Sequence, residues 1–193
     1  MTSRRSTDLA LIAAFAALTA VCALLPALQV AGPVPLTLQT FGVLLTGAVL
    51  GPRRGFWAIV LYLAVGAAGL PVFAGGKAGL AVFAGPTVGY LLSFPVMALL
   101  AGALLAALPG RRISATVPAL VAACLVAVAV NHAAGIAGMV WRADLTWAQA
   151  VDADLVFWPG DLLKAGAASV VATAVHRAFP GLVRRRPAAV AAS

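Results

Sequence analysis

The chain has 193 residues, of which 63% are hydrophobic and only 9% charged, and its mean hydropathy is +1.06. So little charge cannot cover the surface of a water-soluble domain, so the composition excludes that class and indicates an integral membrane protein. The net charge of +8 does not indicate nucleic acid, because the basic residues sit at the ends of apolar runs and form no stripe interleaved with aromatics.

A hydrocarbon core about 30 Å thick asks for roughly 20 apolar residues per helix. The first run covers about 8–27 and closes near Pro26. Arg4 and Arg5 precede it as they would a secretion signal, but the run is too long for one and further spans follow. It reads as a retained helix. Gly32, Pro33 and Pro35 then forbid regular helix over 28–36. The remaining runs cover about 37–50, 55–69, 86–108, 114–140 and 161–179. Their breakers are Gly51-Pro52-Arg53-Arg54, Pro109-Gly110-Arg111-Arg112 and Pro180-Gly181. The stretch 70–85 is apolar but glycine-rich and reads as loop or broken helix, and a polar stretch with Arg142, Asp144, Gln149, Asp152 and Asp154 precedes the last run. The expectation is an all-α protein of six transmembrane helices forming a single domain over 1–193.

Charge orients the bundle. With the N-terminus in the cytoplasm, the inner segments hold Arg4, Arg5, Arg53, Arg54, Arg111, Arg112, Arg177 and Arg184 to Arg186, and the outer ones only Lys77 and Arg142. That asymmetry predicts both termini inside, in a multi-pass protein of the cell membrane. Both irregular segments then fall on the outer side. Irregular backbone at membrane depth survives only where it is buried in protein or lines a cavity. The second run is also too short to span the core, so it starts below the outer surface, and the segments together predict a pocket opening outward.

The last run begins Trp158-Pro159-Gly160-Asp161-Leu162-Leu163-Lys164. Asp161 and Lys164 share a helix face. Ionisable residues within a span default to function, and this pair offers a polar ligand an acceptor and three donors. The plainer readings are an N-cap for Asp161 and snorkelling for Lys164. Thr37 reads as the N-cap of the second helix, which places the Gln39 amide near the cavity. Gly75, Gly76 and Gly79 permit positive φ or close approach of main chain to a ligand. Lys77 either attracts an anion or meets solvent. Phe73, Tyr90 and Trp158 serve equally as cavity walls or as an interfacial belt. Asn131 and His132 interrupt the fifth span. Asn131 reads as a ligand contact or as satisfied by a neighbouring helix, and His132 alone does not make a metal site or a proton relay. Cys22 and Cys124 read as small apolar packing residues. Ala10, Ala13, Ala14 and Ala17 give the first helix a small-residue face suited to docking another helix, although an alanine-rich chain yields such spacings by chance.

Catalytic signatures are missing. The five acids are all Asp, so a His-Glu-x-x-His zinc site is excluded, as is a Gly-x-Ser-x-Gly nucleophile. No phosphate loop is present, and Gly75 to Gly79 is not one. Nothing positive supports a His132–Asp161 catalytic device.

Four segments, Val34-Pro35-Leu36-Thr37-Leu38-Gln39-Thr40, Gly69-Leu70-Pro71-Val72-Phe73-Ala74-Gly75-Gly76, Gly85-Pro86-Thr87-Val88-Gly89-Tyr90 and Pro159-Gly160-Asp161-Leu162-Leu163-Lys164, occur in an order that resembles the BioY family, the biotin-binding S components of energy-coupling factor transporters. The resemblance covers about 8–180. Val88 stands where Gly is more usual in the third segment, and Asn131-His132 matches no motif. The resemblance implies the six-helix S-component fold, biotin as ligand, no cofactor, and an ATPase pair and a transmembrane coupling protein as partners. It associates Asp161 and Lys164 with biotin. It leaves Gln39, Phe73, Gly75, Gly79, Tyr90 and Asn131 as further candidate contacts. A transporter working alone, or an S component for another vitamin, are the alternatives it leaves open.

Overall fold

The computed structural model describes residues 2–27, 34–107 and 116–179. These residues form seven α-helices and no strand: α1 (Thr2–Leu24), α2 (Gln39–Leu50), α3 (Pro52–Ala67), α4 (Val88–Ala107), α5 (Thr116–Arg142), α6 (Trp147–Leu155) and α7 (Trp158–Ala178). Gly32, Pro33, the Pro109 to Arg112 corner, Pro180-Gly181 and Arg184 to Arg186 lie outside the described residues.

Three helices, at Arg5–Leu24, Val88–Ala107 and Val117–Arg142, are long and apolar enough to cross a membrane. The pair α6 and α7 passes as a fourth crossing, bent by 50°. The other two expected spans are short. The 12 residues of α2 and 16 of α3 reach only about 18 and 24 Å at 1.5 Å per residue. Every residue of α2 except Phe41 is buried, because α1, α3, α4 and α7 all pack around it. A helix apolar on all sides belongs in such a place. Glycine lets the helices close on it: a Cβ on Gly47 would run into the backbone of Ala98 in α4.

The bundle has two distinct ends. At one, α2 turns into α3 through Gly51, at φ 78°, and Pro52. Pro52 has no N–H for the carbonyl of Ala48, four residues back. The His176 ring, near the end of α7, donates to that carbonyl from Nε2 at 2.9 Å. Arg54 pairs with Asp8 of α1 at 2.6 Å at the same end, where Arg5, Arg53 and Arg177 also lie. Lys77 and Arg142 lie at the other.

That other end is where the sequence reading needs correction. The polar stretch before the last run, which the sequence reading assigned to no helix, contains the helix α6. Thr146 caps it: its hydroxyl accepts from Gln149 N at 3.3 Å, while Gln149 Oε1 accepts from Thr146 N at 2.9 Å. This is a capping box. The break to α7 follows from Pro159, which cannot donate to Leu155. Consequently α7 starts at Trp158, and Asp161 lies within its first turn, not at its N-cap. Lys164 does not snorkel either, being buried. Thr37 is not the N-cap of α2, a position held by Leu38; its hydroxyl still accepts from Gln39 N at 3.3 Å. The 70–85 stretch forms two 3-10 turns, Ala74–Gly76 and Leu80–Ala84.

Candidate functional site

A cleft opens at this end, between the starts of α2, α4 and α7, the later part of α5 and the 3-10 turns. Its volume is about 70 Å³. That is several times the roughly 10–15 Å³ needed by one water, so the cleft is more than a single-water cavity. The wall sets aromatic and aliphatic groups beside about as many polar ones, Gln39, Asn131, Asp161 and Lys164 among them, so it can both enclose an apolar body and hydrogen-bond a polar group.

The expected residues largely meet here. Asp161, Lys164, Gln39, Phe73, Tyr90 and Asn131 all line the cleft, as does Lys77. Gly75 and Gly79 do not line it. Their φ values of 69° and 80° show that glycine serves the tight turns that carry Phe73 and Lys77. Trp158 is not in the wall but behind it. The sequence reading missed Thr40, Phe94 and Phe157, which also line the cleft. Phe157 carries no signal apart from standing beside the Trp158-Pro159 corner.

Asp161 and Lys164 are 4% and 9% exposed, and Lys164 Nζ donates to Asp161 Oδ1 at 2.7 Å. One turn of α7 sets this spacing, and Asp161 also gains from lying in the first turn, where the helix dipole favours a negative charge. On α2, Gln39 Oε1 accepts from the Thr37 hydroxyl at 3.0 Å, and Nε2 donates to Tyr62 Oη at 2.8 Å. Tyr62 in turn donates to the Val72 carbonyl at 3.1 Å. This chain fixes the Gln39 amide and ties α2 to the loop holding Phe73, whose ring packs directly over Gly66 of α3.

Asn131 is held differently. Pro95 interrupts the hydrogen bonding of α4. In the turn before it, the Tyr90 carbonyl accepts from Asn131 Nδ2 at 3.0 Å and from Ser93 Oγ at 3.0 Å. Nδ2 also donates to Ser93 Oγ at 2.7 Å. Both amide hydrogens are thus engaged within the protein, which leaves the carbonyl oxygen as the group Asn131 can offer a ligand. Close approach of α4 and α5 makes this possible: a Cβ on Gly89 would collide with the Ala134 carbonyl, and one on Gly135 with the Tyr90 ring.

Behind the wall lies a cluster that sequence spacing conceals. Asp154 of α6, 1% exposed, accepts from Tyr90 Oη at 2.6 Å and Trp158 Nε1 at 3.0 Å. His132 Nδ1 stands 2.6 Å from Asp154 Oδ1, and His132 Nε2 stands 3.2 Å from Asp161 Oδ2. An ionised carboxylate only accepts, so Nδ1 carries a hydrogen. With a hydrogen on each nitrogen the ring bridges two carboxylates, and Asp154, His132, Asp161 and Lys164 sum to zero charge. Burial at this depth demands such balance.

The chain matches the BioY family model over residues 1–181. The biotin transporter BioY of Rhizobium etli is 38% identical over 182 residues, covering 92% of this chain and 97% of that protein. A probable biotin transporter BioY of Pyrococcus horikoshii is 48% identical over 98 residues, which is 51% of this chain and 59% of that protein. Among solved structures, the S-component for biotin from an ECF-type ABC transporter superposes with a TM-score of 0.82 at 26% identity, covering 92% of this chain and 94% of that one.

Proposed function

This chain belongs to the BioY family, and on that premise we propose that it captures biotin at the outer face of the cell membrane as the S component of an energy-coupling factor transporter. The observation that carries the reading is the cleft, whose lining brings the buried Asp161–Lys164 pair together with Asn131 and several aromatic side chains. Biotin has a ureido group with two N–H donors and one oxygen, an apolar bicyclic body and a carboxylate tail. Asp161 and Asn131 accept from the ureido N–H groups, and Lys164 donates to the ureido oxygen. Phe73, Tyr90, Phe94 and Phe157 enclose the rings.

Charge sets the direction of the ligand. Asp161 balances Lys164, so the deep end of the cleft offers no net charge to a carboxylate. Among the described residues lining the cleft, Lys77, exposed in its wall, is the cation left to meet the tail. Biotin therefore enters ureido first, with its carboxylate at the mouth.

The bundle crosses the membrane six times as one domain with both termini inside. The gathering of Arg5, Arg53, Arg54 and Arg177 at the end away from the cleft supports this orientation. The short α2 and α3 are accommodated because segment 34–38 and the 3-10 turns complete the outer end. Ala10, Ala13, Ala14 and Ala17 are exposed on α1, which supports their service as the docking face for a transmembrane coupling protein. The ATPase pair that joins this assembly supplies the energy for uptake.

Uptake of labelled biotin separates this function from its alternatives. In a biotin-requiring bacterium lacking its own uptake system, this chain with ATPase and coupling subunits accumulates biotin against a gradient, and without them it does not. Accumulation by this chain alone would instead make it a stand-alone transporter. Failure to accumulate biotin while concentrating another vitamin would change the substrate.

A further inference from the structure

The cleft wall does not explain why His132, Asp154 and the Trp158 N–H converge behind Asp161 and Tyr90. We propose that His132 and Asp154 are positioning residues that fix the carboxylate of Asp161 for the ligand. The proposal rests on the biotin reading above.

Asp161 needs such a support. Lys164 holds Oδ1 at 2.7 Å, but an ammonium is a rotatable point charge and does not define the carboxylate plane. His132 Nε2, 3.2 Å from Oδ2, provides the second point. Nε2 is also the one buried side-chain nitrogen or oxygen among the described residues without an aligned hydrogen bond. An unsatisfied group in so buried a place requires an explanation, and a carboxylate that shifts slightly on receiving a ligand N–H supplies it.

The ring itself is clamped. It stacks on Trp158 with centroids 4.5 Å apart and planes 14° apart, and Asp154 holds its other nitrogen at 2.6 Å. Asp154 is in turn fixed by Tyr90 and Trp158. The chain of contacts runs through α4, α6, α5 and α7, yet touches the cleft only at Tyr90 and Asp161. Two walls of the site are thereby locked to each other through residues the ligand does not reach. A support of this kind is what a preorganised polar site requires.

The alternative is that His132 merely fills space. Purified protein titrated with biotin decides, using His132→Leu, His132→Gln, Asp154→Asn and Asp161→Asn, with a ligand-free melting curve for each to establish folding. Leucine keeps the bulk without the hydrogen bonds, and glutamine restores a donor near Nε2. Losing the close charged contact that holds Asp161 Oδ2 is expected to weaken binding by about 10- to 100-fold in His132→Leu, the scale of one interaction with a charged group. His132→Gln is expected within about 5-fold of wild type and Asp154→Asn about 10-fold weaker, on the same scale. Equal affinities for the leucine and glutamine variants, or wild-type affinity for Asp154→Asn, overturn the proposal. If His132→Leu does not fold, Asp154→Asn decides alone. Unchanged binding by Asp161→Asn leaves nothing to position and also overturns it. Absence of binding by the folded wild type defeats the biotin reading instead.

Discussion

Replacing Asn131 tests the geometry of the cleft in a way that conservative chemistry would not suggest. Its two amide hydrogens go to the Tyr90 carbonyl and to Ser93 Oγ, and on the proposed reading its oxygen accepts from the ligand. Asn131→Ala removes the donors and the acceptor. Leaving buried partners unsatisfied costs about 1–3 kcal/mol of stability, and losing one ligand hydrogen bond of about 1 kcal/mol weakens biotin roughly 5-fold. Asn131→Asp keeps the shape and adds a better acceptor, so a view of this residue as a simple acceptor predicts tighter binding. The structure predicts the reverse. An aspartate has no hydrogen for the Tyr90 carbonyl, and it places a further negative charge in a cleft where the charges already balance. The cost of an uncompensated buried charge is about 3–5 kcal/mol, so Asn131→Asp should melt lower and bind more weakly than Asn131→Ala. Thermal unfolding in detergent and biotin titration of both variants measure this. Binding by Asn131→Asp equal to or tighter than that of Asn131→Ala refutes the assignment of the amide.

Three further outcomes are expected. Lys77→Glu weakens biotin by about 5-fold or more at low salt and less at high salt, while an esterified biotin, without the carboxylate, is unaffected by the change; titrations at two ionic strengths with both ligands check it. His176→Ala strands the Ala48 carbonyl and lowers stability by about 1–3 kcal/mol, yet leaves biotin affinity unchanged because it acts at the opposite end of the bundle; melting and titration together show the split. Ala14→Leu roughens the exposed face of α1, so it abolishes uptake with partner subunits while detergent-solubilised protein binds biotin as before. Paired uptake and binding assays read that difference.

The helix ends were legible where local chemistry decides them. Pro52 and the glycines around it stop α2, and the 70–85 stretch reads as irregular from its own composition. Asp161 and Lys164 stood out because charge within a span is rare. What the sequence hid is non-local. Nothing near Asp154 announces that it meets Tyr90, 64 residues away, or that His132 reaches Asp161 from another helix. His132 in isolation gave no reason to assign it a role. The helix α6 escaped for a different reason: its polar side chains suggest a loop, and only the Thr146–Gln149 box betrays a helix start. Gly75 and Gly79 illustrate the converse ambiguity. Glycine permits both a positive φ and close approach to a ligand, and composition cannot say which is used. Here the turns use it.

The most direct test of the account is calorimetric titration of the purified, folded chain with biotin, beside Asp161→Asn/Lys164→Ala. The account predicts saturable binding of one biotin per chain, lost in the double variant. Binding that survives in the double variant would contradict the site, and a folded wild type that releases no heat and shows no binding would contradict the function.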